Sequence, residues 1–81
     1  MMPEGIVKWF DKKKGYGFVE HENRDIFIHY TEILDKYIPE NKDLISFEII
    51  NGEKGLKAQN IKKVVWMYKR YRFYKSQVTG L

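Results

Sequence analysis

Two short segments carry rings at a spacing that points to chemistry by stacking rather than by bond making: Lys14-Gly15-Tyr16-Gly17-Phe18 and Phe27-Ile28-His29-Tyr30. In an extended chain successive side chains point to opposite faces, so Phe27 and His29 share one face while Ile26 and Ile28 share the other. The same device recurs where Tyr16 and Phe18 point outward and Val19 points inward. Branched aliphatics can then fill a core beneath a surface of flat rings. Trp9 joins that surface if the first strand turns Val7 inward and Trp9 outward, which brings Lys8 and Lys12 to Lys14 to the rim. Rings with a basic border suit a single-stranded nucleic acid. Every base offers a π-face, stacking on an aromatic contributes ~1–3 kcal/mol per base, and lysines meet the phosphates. In a duplex the base faces are already stacked on each other, so single strands are the expected ligand.

The competing reading is that these rings are core, and a strand Phe taken alone is more often buried than not. Taken together they are too many. A barrel of about 60 residues cannot enclose Trp9, Phe10, Tyr16, Phe18, Phe27, Tyr30, Tyr37 and Phe47 along with Val7, Val19, Ile26, Ile28, Ile33, Ile45, Ile49 and Ile61. Phe47 is assigned to the core because Ile45, Phe47 and Ile49 alternate with Ser46 and Glu48, and Phe10 is mixed. Between Phe27 and Tyr30, His29 reads as a stacking ring rather than a merely exposed strand residue. Lys14 reads as a contact; Lys12 and Lys13 stay open between contact and solvated turn.

Other chemistries find little support. The chain has no Cys, and its two histidines, His21 and His29, fall on different strands, so a metal site is disfavoured and no cofactor is expected. Ser46 and Ser76 lack any context for activation, and the acids are scattered among turns and solvent faces. Enzymatic activity is not expected, nor a small-molecule substrate.

The elements that must position the rings are strands. From Gly5 to about Ile61 residues alternate with a period near two, and no stretch of ten shows a convincing helical stripe. Strands are expected near 5–11, 15–21, 25–30, 44–50 and 56–64. Turns fall at Asp11 to Lys14, at Glu22-Asn23-Arg24 and at Asn51 to Gly55, and hairpins should join the first three strands. Residues 31–43 form the one long connection, which contains Pro39; a short helical turn at Thr31 to Leu34 is expected there, with Thr31 as its cap.

With 81 residues there is room for one small domain. No apolar signal segment precedes the first strand and no apolar run is long enough to cross a bilayer, so a soluble, cytoplasmic chain without membrane contact is expected. The net charge of +4 is unevenly placed. Residues 1–61 carry nine Lys or Arg against eleven Asp or Glu, net −2, whereas residues 62–81 carry six Lys or Arg and no acid. Basicity therefore belongs to the tail, and affinity of the first 61 residues must come from stacking and local clustering.

The residues that carry these readings resemble a known family, the cold-shock domain. Gly5-Ile6-Val7-Lys8-Trp9-Phe10 looks like its opening strand, with Asp11 where Asn is usual. Lys14-Gly15-Tyr16-Gly17-Phe18-Val19 is similar to the ribonucleoprotein motif K/R-G-F/Y-G/A-F-V-x-F/Y, with His21 departing at the last position. Asp25-Ile26-Phe27-Ile28-His29-Tyr30 looks like the second motif. The RNA recognition motif shares the first pattern but needs a βαβ unit ahead of it, and only thirteen residues precede Lys14. The resemblance covers about 5–61. It implies an all-β fold, a five-stranded antiparallel Greek-key barrel of the oligonucleotide-binding type, over a domain spanning 1–63, with 64–81 as a basic aromatic extension.

The resemblance also implies that Lys8, Trp9, Lys14, Tyr16, Phe18, Phe27, His29 and Tyr30 bind nucleotides, with Asp25 as an acceptor for a base edge. Tyr37 would stand in for an aromatic of the long loop, and Lys54 for a basic residue of the last hairpin. Thr31 to Asp43 lacks the family's Gly-rich Phe segment, and Leu56-Lys57 replaces a common Pro-Gln. The implied role is that of an RNA chaperone or a regulator of transcription or translation, binding single-stranded RNA and DNA. The alternative is a protein-interaction or self-assembly module using the exposed rings and the extension. A monomer is expected, with a dimer through the extension or strand exchange as the alternative. In the extension, Val64, Met67, Tyr68, Tyr71 and Tyr74 fall at helical spacing, so an amphipathic helix and a prolonged last strand both stay open.

Overall fold

The computed structural model describes residues 2–64, so the question of helix or strand in the extension lies outside the described residues. Five strands close into a barrel: β1 (Glu4–Asp11), β2 (Tyr16–His21), β3 (Arg24–His29), β4 (Leu44–Gly52) and β5 (Gly55–Lys63), in the spatial order β1-β2-β3-β5-β4. These are the expected strands to within two residues. Four of the five pairings are antiparallel; the seam that closes the barrel, β3 against β5, is parallel and registers Phe27 opposite Lys57.

Local chemistry sets the turns. Asp11 Oδ1 accepts hydrogen bonds from the backbone amides of Lys13 and Lys14, both at 2.9 Å, and its carbonyl oxygen accepts the Gly15 amide at 2.7 Å. The carboxylate thus closes the turn as an Asx motif. Gly15 adopts φ +78°, and a Cβ there would lie 2.6 Å from the Tyr30 ring, so glycine is needed on both counts. Between β2 and β3 the turn residues Glu22 and Asn23 both take positive φ, and His21 pairs with Arg24 around them, the hairpin geometry that matches strand twist.

Val7, Val19, Ile26, Ile28, Ile45, Phe47, Ala58 and Ile61 form the buried core. Seven of these are the expected core residues; Ala58 is an addition. Ile33 and Ile49, expected inside, are corrected to the margin, where they are half-buried against the core. For Ile49 the reason is an irregularity in the β4–β5 register between Ser46 and Glu48, which offsets the alternation begun by Ile45.

The long connection holds one 3-10 turn, Tyr30–Glu32. Its cap is His29, whose side chain accepts the Thr31 amide, so the expected capping role of Thr31 is corrected. Further along, Asp43 fastens the loop by accepting from the Tyr37 hydroxyl and the Glu40 amide. Val7 and Lys42 or Asp43 exchange backbone bonds of 2.7 and 2.9 Å, tying the end of the loop to β1.

Candidate nucleic-acid interface

The ring surface depends on an irregularity in β1. Val7 pairs with Val19, but Trp9 pairs with Phe18, so Lys8 is the extra residue of a bulge. Without it Val7 and Trp9 would share a face. With it Val7 is buried while Trp9 is 41% exposed. On β2 and β3, regular alternation suffices: Phe18 pairs with Phe27, and Tyr16 with His29, above the buried Val19, Ile26 and Ile28.

The result is six rings in mutual contact. Trp9 lies edge-on to Tyr16 and Phe18, with centroids 6.0 and 5.6 Å apart. Phe27 follows, 5.7 Å from Phe18 and 5.9 Å from Tyr16. His29 is 6.2 Å from Phe27 and 4.7 Å from Tyr30. Tyr30 ends the row at 60% exposure. The edge-on and tilted packing leaves each ring half-buried or exposed, with the row supported laterally by its own members.

Charged groups flank the row. Lys8 and Asp25, expected as separate contacts, hold each other: the ammonium donates to both carboxylate oxygens, at 3.1 and 3.3 Å, and both side chains are about half exposed. An exposed pair of this kind contributes only about 0–1 kcal/mol, so either member can exchange its partner for a ligand group at little cost. Lys14 is exposed at the β1–β2 turn, and Lys12 reaches Glu40 at 3.9 Å. At the other end Lys54 stands at the β4–β5 hairpin and lines an open groove with Phe18, Asp25, Phe27, Leu56 and Lys57. Lys57 is a residue that sequence reasoning missed. The parallel seam puts it opposite Phe27, and a parallel pairing between distant segments leaves no local signal.

Tyr37 is placed apart from the row. Its ring is half-buried, its hydroxyl donates to Asp43, and the Lys63 ammonium lies 5.8 Å from its centroid. Burial first, and then the hydrogen bond and negative charge of Asp43, push the phenol well above its ordinary range. With Phe10, Lys12 to Lys14, Tyr30 and Ile38 it lines a second groove of about 420 Å³, beyond the Tyr30 end of the row. Ile38 is exposed there, at 56%.

His21, the departure from the motif's last position, has a structural task. Its Nδ1 donates to the Glu4 carbonyl at 2.7 Å and its ring packs edge-on against buried Phe47. Among the described residues no three His, Asp or Glu side chains gather closely enough to hold a metal ion.

Known proteins place this geometry in context. The family described as the 'Cold-shock' DNA-binding domain matches residues 3–64. Cold shock protein CspB of Bacillus caldolyticus is 43% identical over 67 residues, covering 78% of this chain and 100% of that protein. Cold shock protein CspD of Bacillus subtilis is 42% identical over 67 residues with the same coverage, and the major cold shock protein of Micrococcus luteus is 43% identical over 68 residues, again with that coverage. Among solved structures, Drosophila Unr CSD456 superposes with a TM-score of 0.65 at 27% identity, over 79% of this chain and 27% of that longer one.

Proposed function

The chain belongs to the cold-shock domain family, whose members are nucleic-acid-binding proteins rather than enzymes, and we propose that its six-ring face binds single-stranded RNA or DNA. The observation that carries this reading is the spacing of the rings. Neighbouring centroids lie mostly 5.6 to 6.2 Å apart, whereas each strand of a duplex advances about 3.4 Å per nucleotide. Successive bases can meet successive rings only if the strand is drawn out and its own stacking is broken. A duplex offers neither the spacing nor the free faces.

In this mechanism bases stack on Trp9, Phe18, Phe27, His29 and Tyr30, with Tyr16 supporting the row. Lys8, Lys14, Lys54 and Lys57 approach phosphates or base edges, and Asp25, released from Lys8, accepts from a base edge. Tyr37 and Ile38 wall the groove into which the strand continues past Tyr30. Binding draws on unpaired strands and so opposes RNA hairpins by mass action, with no nucleotide hydrolysis. That is the physical content of an RNA chaperone, or of a regulator of transcription or translation. A cytoplasmic setting belongs to the same reading; no helix among the described residues is long and apolar enough to cross a membrane.

The extension has its own part. Residues 2–64 balance eleven Lys or Arg against eleven Asp or Glu, so the excess positive charge of the chain lies in 65–81. The domain supplies stacking and the extension supplies the long-range attraction to phosphate. The test is a binding series with oligothymidine and a matching duplex: the single strand binds at low micromolar concentration or tighter, and the duplex more weakly. Equal affinity for both would overturn the reading.

A further inference from the structure

The two nitrogens of His29 are in different circumstances. The backbone amide of Thr31 donates to Nδ1 at 3.3 Å, and Thr31 Oγ1 lies 2.9 Å from the same nitrogen. A backbone amide can only donate, so Nδ1 is an acceptor, and the Thr31 hydroxyl facing it donates as well. In a neutral imidazole the ring proton then sits on Nε2. That nitrogen has no partner among the described residues. Because no polar side-chain atom among them is buried without a partner, Nε2 is open to solvent.

The same two bonds fix where the ring lies. They cap the turn Tyr30–Glu32, and the imidazole sits between Phe27 and Tyr30, tilted by 35° and 33° to them. On the opposite side Tyr30 is braced by its amide bond to the Gly15 carbonyl, 2.8 Å long, and by the close approach of its ring to Gly15. The imidazole is therefore set in position, in tautomer and in the direction of its free nitrogen before any ligand arrives.

We infer that Thr31 is a positioning residue which holds His29 as its Nε2–H tautomer, so that the imidazole offers the strand a hydrogen-bond donor as well as a stacking face. The inference rests on the reading that the ring face binds single strands. The acceptor is an oxygen of the strand, either a base carbonyl or a non-bridging phosphate oxygen. A ring carrying its proton on Nδ1 would offer an acceptor in that place and repel the same oxygens.

Two measurements on the full chain test it. Long-range proton–nitrogen NMR of the free protein at neutral pH reads the tautomer: the wild type and Thr31→Ser show the Nε2–H form, and Thr31→Val, which keeps the amide donor and loses the hydroxyl, shows that form in lesser excess. A wild-type imidazole that carries its proton on Nδ1 overturns the inference. The second measurement is a double-mutant cycle on hexathymidine. His29→Phe keeps a ring but removes the donor and weakens binding about three- to tenfold, in keeping with the removal of one hydrogen bond. Thr31→Val weakens it about two- to fivefold and Thr31→Ser restores it, while in the His29→Phe background Thr31→Val has no further effect. An equal loss in that background would mean that Thr31 acts on the fold and not through His29, and His29→Phe binding as tightly as wild type would remove the donor altogether.

Methylphosphonate hexathymidine separates the two acceptors, since the His29→Phe effect persists unchanged with a base carbonyl and shrinks with a charged phosphate oxygen. Failure of the wild type to bind hexathymidine at all is a different result: it removes the ring-face reading and leaves the tautomer measurement standing.

Discussion

Phe18 and Phe27 face each other across β2 and β3 with centroids 5.7 Å apart, above a core to which neither contributes a fully buried side chain. Truncating either should therefore act on binding more than on folding. Phe18→Ala and Phe27→Ala are each expected to weaken oligothymidine binding by ~1–3 kcal/mol while the far-ultraviolet circular dichroism of the barrel is retained. Tyr37 is the opposite case, a ring whose surroundings raise its pKa in the folded state. An unfolded tyrosine ionises near pH 10, so the stability Tyr37 confers is fully present below that pH. It is lost above it, as the unfolded state sheds a proton that the folded state keeps. Urea midpoints for wild type and Tyr37→Phe, compared between pH 8 and 11, should show the steeper alkaline decline in the wild type. That Phe18 and Phe27 face outward was legible because a strand's period is two and its aliphatic neighbours are branched. The placement of Tyr37 was not, because its anchor, Asp43, lies at the far end of a loop with no periodicity.

The strands hold the row at fixed spacing, and their failure should be global. Ile28 is buried beneath Phe27 and His29, and Ile28→Ala is expected to cost ~2–5 kcal/mol through the cavity it leaves, measured by urea denaturation. Gly17 packs directly against the β1 backbone: a Cβ would lie 2.1 Å from the Trp9 carbonyl oxygen and 2.7 Å from the Phe10 Cα. Gly17→Ala must push the strands apart, lowering both the denaturation midpoint and the affinity, since the displaced backbone carries Trp9. Period two puts Val7 and Trp9 on one face, and only the extra residue Lys8 separates them. A bulge is a property of the pair of strands, not of either alone. The parallel seam that brings Lys57 beside Phe27 was hidden for the same reason, as was the inward place of Ala58, which is small enough to suit either face.

For the molecule as a whole, charge and stacking are divided along the chain. Residues 2–64 are neutral in sum, and 65–81 add four Lys or Arg without an acid. Binding by residues 1–64 should retain most of the stacking affinity. The slope of log K against log salt should be shallower than that of the full chain by up to about 3, because each phosphate neutralised on a single strand adds about 0.7 to it. The composition made this division legible at once, although the total of +4 alone suggests a basic binding face. Whether the rings are the binding surface can be read at Trp9. In a Trp66→Phe chain Trp9 is the sole indole, and its fluorescence can be titrated with hexathymidine at low salt. Saturable quenching is expected, weakened by Phe27→Ala and not reproduced by duplex DNA. Unchanged Trp9 emission, while the strand binds by an independent measure such as anisotropy of a labelled oligonucleotide, would contradict the ring-face reading.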